Sequence, residues 1–284
     1  DKPLSLIGDG NRDEIVIQSS KEPSLRVETS SAKIQNLTFQ TSETGLLVPL
    51  IEQYQGLLQI ENCLILGASQ RDISHLMAAL VTISGMNTMV ILRKCKIKTS
   101  QGGILLQQGA QGTLQETIFD SYSGDSGTFS GIAVNIKKGC QIQLQNCEFS
   151  WRRCGVLLAG RGGVDHCTFK SNEVGITLVG KDIIVQNCNI HTNLTGILLQ
   201  VDSQATITQN RIVENQKEGI RLGAGASASI LSNRIVKNNI GIHVESPAGD
   251  VLIKKNRFLQ NSQKSIDLPF LSKVVLEEND IIHP

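Results

Sequence analysis

Aromatic side chains are scarce in this 284-residue sequence, at 4% of the total, with one Trp and two Tyr. A core without them has to be filled by Val, Ile and Leu, which points to many similar small layers rather than one irregular globule. An excess of charge is missing as well. With 27 Lys and Arg against 26 Asp and Glu, the balance by itself predicts neither nucleic acid nor an anionic membrane as a partner. No run of about 18 apolar residues occurs, which excludes a membrane-spanning helix. A signal-peptide pattern is also lacking, and Asp1 opens as though in mid-sequence, so the chain is expected to be a segment of something longer. Disorder is excluded, because 40% hydrophobic residues suffice for a sizeable core.

What the sequence has is a repeat. The phrase aliphatic-x-x-(Cys/Asn)-x-(Ile/Phe) recurs with its middle residue at Cys147, Cys167, Cys188, Asn210, Asn233, Asn256 and Asn279, in steps of 20, 21, 22, 23, 23 and 23. It continues less regularly upstream at Leu37, Cys63, Cys95 and Thr117, so that eleven copies span residues 32–281. A second phrase, Gly followed by an aliphatic residue, falls eight or nine residues after the middle residue in most copies: Gly45, Gly103, Gly155, Gly175, Gly196, Gly219 and Gly241. Each copy thus reads as two or three short strands of period two, with no helical periodicity. One copy cannot bury its own apolar face, so neighbours must stack.

An all-strand repeat of this length predicts a right-handed parallel β-helix of about eleven coils, each of roughly 20–24 residues and rising by one inter-strand spacing of ~4.8 Å. A β-sandwich or propeller would not need registered columns. The expected organisation is a single domain over 1–284, with an entry segment at 1–31 and coils over 32–284. Equivalent residues should form ladders. The middle column passes from thiols to amides, and a second amide column runs through Asn172, Asn193, Asn215, Asn238 and Asn261. Asn is expected at these corners because it tolerates left-handed backbone and hydrogen-bonds turn amides.

The registered Asn-x-Ile, Asn and Gly-Ile pattern resembles the right-handed parallel β-helix repeats of the pectin-lyase-like superfamily. The opening Asp1–Gly10, followed by Ile15-Val16-Ile17, is similar to the second half of the entry segment of such domains. In that family a strand and an N-terminal cap precede it, so the resemblance implies truncation. Similarity extends to β-helix modules appended to larger bacterial multidomain proteins, some accompanying protein kinases, and to carbohydrate-binding and sugar-hydrolase repeat modules. It implies a fold and says little about activity.

Seven Cys are present, of which Cys63, Cys95, Cys147, Cys167 and Cys188 lie in the middle column. An odd total leaves one unpaired, and parallel Cβ vectors at the strand spacing disfavour disulfides. Buried free thiols are expected, hence a reducing, cytoplasmic location. A linear column does not make a tetrahedral site and no CxxC or His cluster completes one, so neither metal nor cofactor is expected.

Enzymes of the resembled family use a calcium-binding carboxylate cluster with an Arg or Lys base, or paired Asp residues. No Asp-Asp, Gly-His-Gly or Asp-Pro-His-Glu string occurs. Val164-Asp165-His166 is faintly similar to a lyase motif, but it sits inside the repeat phrase as a solvent-facing Asp beside a corner His. Two binding surfaces are expected instead. Arg211, Arg234 and Arg257 each follow a ladder Asn and should stack outward as a cationic stripe for sulfated, carboxylated or phosphorylated partners. The alternative is a solvated face with Glu214, Glu218 and Asp280 nearby. The second surface is a corner where insertions at about 66–78 and 120–127 leave the solenoid. It gathers Tyr122, Asp125, Trp151, Arg152 and Arg153, a combination suited to sugar stacking or a protein hot spot, unless Trp151 only covers a loop. The resulting expectation is a non-catalytic binding or scaffold module of a larger intracellular protein with a protein or glycan partner. The alternative is a polysaccharide lyase, hydrolase or epimerase of the pectin-lyase type.

Overall fold

The computed structural model describes residues 2–20, 22–41, 48–67, 79–122, 129–247, 249–269 and 273–282. Gly45, Asp125 and most of both expected insertions lie outside these residues.

Three parallel sheets of 12, 12 and 11 strands run the length of the molecule, and each coil contributes one strand to each sheet in turn. The expected parallel β-helix is therefore the fold found. Residues 4–27 already supply one strand to every sheet, as Leu4–Ile7, Val16–Ser19 and Leu25–Val27. Among the described residues there are eleven complete coils and two strands of a further one. No helix among them is long and apolar enough to cross a membrane.

Period-two alternation puts one residue in and one out. In the first sheet Ile34, Ile60, Leu92, Leu114, Leu144, Val164, Val185, Ile207, Ile230 and Ile253 point inward and are buried. In the second, Phe119, Phe149 and Phe169 stack with ring centroids 4.9 and 4.7 Å apart and planes within 9°. That spacing is the strand spacing itself, so identical residues on successive coils stack face to face. At about 1.5–3 kcal/mol per buried aliphatic or Phe side chain, these columns are the main source of stability.

The turn between the first and second sheets works differently from the expectation. Its left-handed residue is not the ladder Asn but the residue before it: Asn36, Asn62, Lys94, Glu116, Asn146, His166, Asn187, Gln209, Ser232, Lys255 and Glu278 all have φ between 50° and 57°. The ladder residue instead satisfies the turn. Asn210 donates from Nδ2 to Val185 O (2.9 Å) and to Asn233 Oδ1 (3.0 Å), and its Oδ1 accepts from Cys188 N at 2.9 Å. Where Cys stands in the column, the thiol takes over the downward donation, as from Cys147 Sγ to Leu114 O at 3.4 Å. All seven Cys are free and buried.

The glycine column has a separate cause. A Cβ on Gly155, Gly175, Gly196 or Gly219 would lie 2.5–2.7 Å from the carbonyl oxygen of the glycine one coil on. No larger residue fits without moving backbone. In the fifth coil the column residue is Ala133 rather than a glycine, which follows from the pairing of Ile104 with Val134. The spacing from Thr117 is thus 16 residues instead of the usual eight or nine, because the insertion at about 120–127 intervenes.

Candidate functional site

Trp151 lies at the corner between the second and third sheets, half-buried and left-handed at φ 58°. The adjacent Arg152 corrects the expectation of an exposed binding residue, because it is completely buried. Its backbone N donates to Asn172 Oδ1 at 3.0 Å, as Asn172 N does to Asn193 Oδ1. Arg152 therefore occupies the next position of the second amide column. From there its Nη1 reaches Thr99 O (2.8 Å), Gln101 O (3.1 Å) and Ser130 Oγ (3.1 Å). Long and multiply donating, Arg satisfies carbonyls of the coils where the corner widens, which a short Asn could not reach. Burial lowers its pKa to about 10, opposed by the charge of Asp120.

Tyr122 is half-buried beneath the Lys98 ammonium, 4.6 Å from the ring centroid, and burial raises its phenol pKa. Arg153 is exposed on the third sheet. Arg152 and Arg153 thus point to opposite sides of their strand, and only Arg153 is available to solvent. Arg211, Arg234 and Arg257 stand in register on the outer face of the second sheet. Arg211 donates to Asn189 Oδ1 at 3.0 Å and Arg257 pairs with Asp280 at 3.4 Å.

A long concavity lies elsewhere, on the outer face of the first sheet. Two adjoining troughs of about 590 and 440 Å³ share Asp182 and Ile184. The floor is one column of outward residues in strict register: Thr113, Gln143, Gly163, Ile184, Thr206, Ser229, Leu252 and Val275. Eight strands at ~4.8 Å spacing make it about 34 Å long. One wall carries Gln141, Arg161, Asp182, Gln204, Ser227, Asp250 and Lys273, and the other Gln115, Gln145, Asp165 and Gln186.

Short residues on the floor and longer ones on the walls create the depression. Its lowest step is Gly163, where a Cβ would meet only the tip of Gln143, at 2.5 Å. The second wall is ordered by directed hydrogen bonds, from Arg93 Nε to Gln115 Oε1 (2.9 Å) and from Gln115 Nε2 to Gln145 Oε1 (3.2 Å). Asp165 accepts from Asn187 Nδ2 (2.9 Å) and contacts His166 Nδ1 (2.8 Å). Burial alone would raise its pKa, but the hydrogen bonds from Asn187 and His166 outweigh that and hold it below the usual carboxylate range. Ile184 and Val275 stay 46% and 49% exposed, an apolar element in a mostly polar channel.

A row of ion pairs crosses the third sheet. Arg221 Nη2 contacts Glu245 at 2.6 Å, and Asp267 takes both His243 (2.8 Å) and Lys264 (2.5 Å). Each acid there is matched by a base on its own or a neighbouring strand. Neither this row nor the trough was singled out in the sequence. The Gly162-Gly163 pair inside a strand phrase was the available signal for the trough, and the residue after each Gly-Ile pair was the signal for the row.

No group of three or more His, Cys, Asp or Glu among the described residues is placed to hold a metal ion. No curated protein sequence matches this one. Solved structures do. The A-module of a mannuronan C-5 epimerase from Azotobacter vinelandii superposes with a TM-score of 0.64 at 10% identity, over 99% of this chain and 86% of that one. Endopolygalacturonase I from Stereum purpureum gives 0.62 at 11% identity, covering 96% and 94%. The Dettilon tailspike protein gives 0.65 at 13%, covering 99% of this chain and 62% of its own. At such identities the likeness is one of fold. The family described as right handed beta helix region matches residues 23–182 and again 130–281, and with nearly the whole sequence covered, the chain belongs to that family.

Proposed function

We propose that the trough on the first sheet binds a polysaccharide lying along the solenoid axis, and that the protein is a binding module rather than an enzyme. The observation that carries this reading is the continuous floor of Thr113, Gln143, Gly163, Ile184, Thr206 and Ser229 between walls that carry five Gln side chains among a few charged ones. Amides and hydroxyls both donate and accept, as sugar hydroxyls require, and Ile184, Leu252 and Val275 offer surface for the apolar faces of sugar rings. A linear polymer matches a linear site whose chemistry repeats with each strand.

The three carboxylates of the trough are spread along and across it rather than gathered at one point. Asp165 belongs to the strand position paired with Gln186, and Asp182 lies four residues before Gln186, so their backbones are about 13 Å apart along the strand. Asp182 and Asp250 are three strands apart, about 14 Å. Glycoside hydrolysis uses carboxyl groups about 5–9.5 Å apart. The structural neighbours named for work on polysaccharides support a carbohydrate ligand without specifying it.

Affinity electrophoresis in gels containing single polysaccharides tests the proposal, with the incubated polymers then assayed for new reducing ends and unsaturated products. Retardation without product supports a binding module. Sustained product formation would replace it with the enzyme reading.

A further inference from the structure

We infer that the trough selects an uncharged polysaccharide chain and rejects polyuronates. The inference rests on the proposed glycan-binding reading of the trough and adds the charge class of its ligand. Three carboxylates line the trough, those of Asp165, Asp182 and Asp250, against two cations, Arg161 and Lys273. Each cation stands next to a carboxylate in the register of the neighbouring strand. Gly162 pairs with Ile183, which places Arg161 beside Asp182 on the neighbouring strand. Val251 pairs with Val274, which does the same for Asp250 and Lys273.

A polyuronate carries one carboxylate on every sugar and would lay a row of them along a channel whose own charge is already net negative. Like charges brought together and partly desolvated repel. Among the described residues the lining contains no cation beyond those two, and Arg93, at the end of the second wall, already donates to Gln115 Oε1. Hydroxyls of an uncharged chain meet no such penalty, because they donate to the carboxylates and to Gln Oε1 and accept from Gln Nε2. Solved structures of similar fold carry names that specify mannuronan, alginate or galacturonate, so an uncharged ligand would set this chain apart from them.

Affinity electrophoresis of the full chain against laminarin, glucomannan and xylan on one side, and polygalacturonate and alginate on the other, tests this at low salt. At least one neutral polymer is expected to bind about tenfold or more tightly than either polyuronate. The double variant Asp182→Asn with Asp250→Asn is isosteric, and its polyuronate binding is expected to strengthen by about threefold or more, because two repelling charges are gone. Equal or tighter binding of a polyuronate by the parent protein would overturn the charge class. If Gly163→Gln abolished that binding, the trough would still be the glycan site. No retardation by any of the five polymers overturns both the charge class and the glycan reading.

Discussion

Asn233 and Arg234 are adjacent in sequence and opposite in role. Asn233 Oδ1 accepts from Asn210 N and Nδ2, while its own Nδ2 donates to Ile207 O at 2.8 Å and Asn256 Oδ1 at 3.0 Å. Replacement by Leu leaves a buried N–H and a buried carbonyl without partners, at about 1–3 kcal/mol each. Arg234 is exposed on the outer face. In urea unfolding, Asn233→Leu should therefore lower stability by about 2–5 kcal/mol, whereas Arg234→Ala should stay within about 0.5 kcal/mol of the parent. Equal losses would mean that the inward and outward columns have been exchanged. The thiols give a second test at this scale. Burial raises Cys95 to about 12 and Cys154 to about 11, so neither forms much thiolate at neutral pH. Reagent labelling of the native protein should be slow, and denaturation without reductant should release all seven thiols. Fewer than seven would show a disulfide that the column geometry disfavours.

At the scale of strands and turns, the sequence made some features plain and concealed others. Ladder residues were legible because they recur in phase, and their eleven positions from Leu37 to Asn279 located every turn between the first and second sheets except that of the opening coil. The left-handed position before them was not legible, since Lys94, Glu116, His166 and Ser232 share no side-chain chemistry. That position is defined by backbone hydrogen bonds, such as Lys94 N to Gln115 O at 3.1 Å, and leaves no signature in residue type. Arg152 was misread for a related reason. It follows the only Trp at a corner with insertions, and although it lies five residues after Cys147, as Asn172 does after Cys167, the change from Asn to Arg hides its membership of the amide column, which its backbone bond to Asn172 makes plain. The trough escaped notice because Gln, Thr and Ser in outward columns look like an ordinary solvated face until the strands are laid side by side. The glycine phrase was found but its cause was not. The structure ties it to carbonyls one coil away, so Gly175→Ala should cost about 2 kcal/mol or more through backbone displacement, measured by urea unfolding. A neutral substitution would remove close coil packing as the reason for glycine there.

For the whole molecule, stability is a sum over neighbouring coils, because each strand pairs only with its counterparts above and below. Among the described residues, the first and last strands of each sheet pair on one side only. Leu4, Leu276 and Ile281 are 40%, 47% and 40% exposed, while Ala32, Ile253 and Phe258, their column partners one coil inward, are fully buried. Hydrogen exchange should accordingly be fastest in Val274–Glu277 and Asp280–Ile282 and slowest in the central coils. Uniform protection would indicate a single all-or-none unit instead. The same regularity makes the outer face of one sheet a continuous track, and that track is the basis of the functional proposal.

The most direct test of that proposal is isothermal titration calorimetry of a polysaccharide retained in affinity gels, comparing the parent with Gly163→Gln and Trp151→Ala. The Gln side chain fills the lowest step of the trough and needs only the tip of Gln143 to swing aside, so folding should be preserved and circular dichroism unchanged. Gly163→Gln is predicted to weaken binding by about 1.4 kcal/mol or more, a tenfold loss, with Trp151→Ala close to the parent. Undiminished binding by Gly163→Gln together with loss in Trp151→Ala would contradict the account and move the recognition surface to the corner between the second and third sheets.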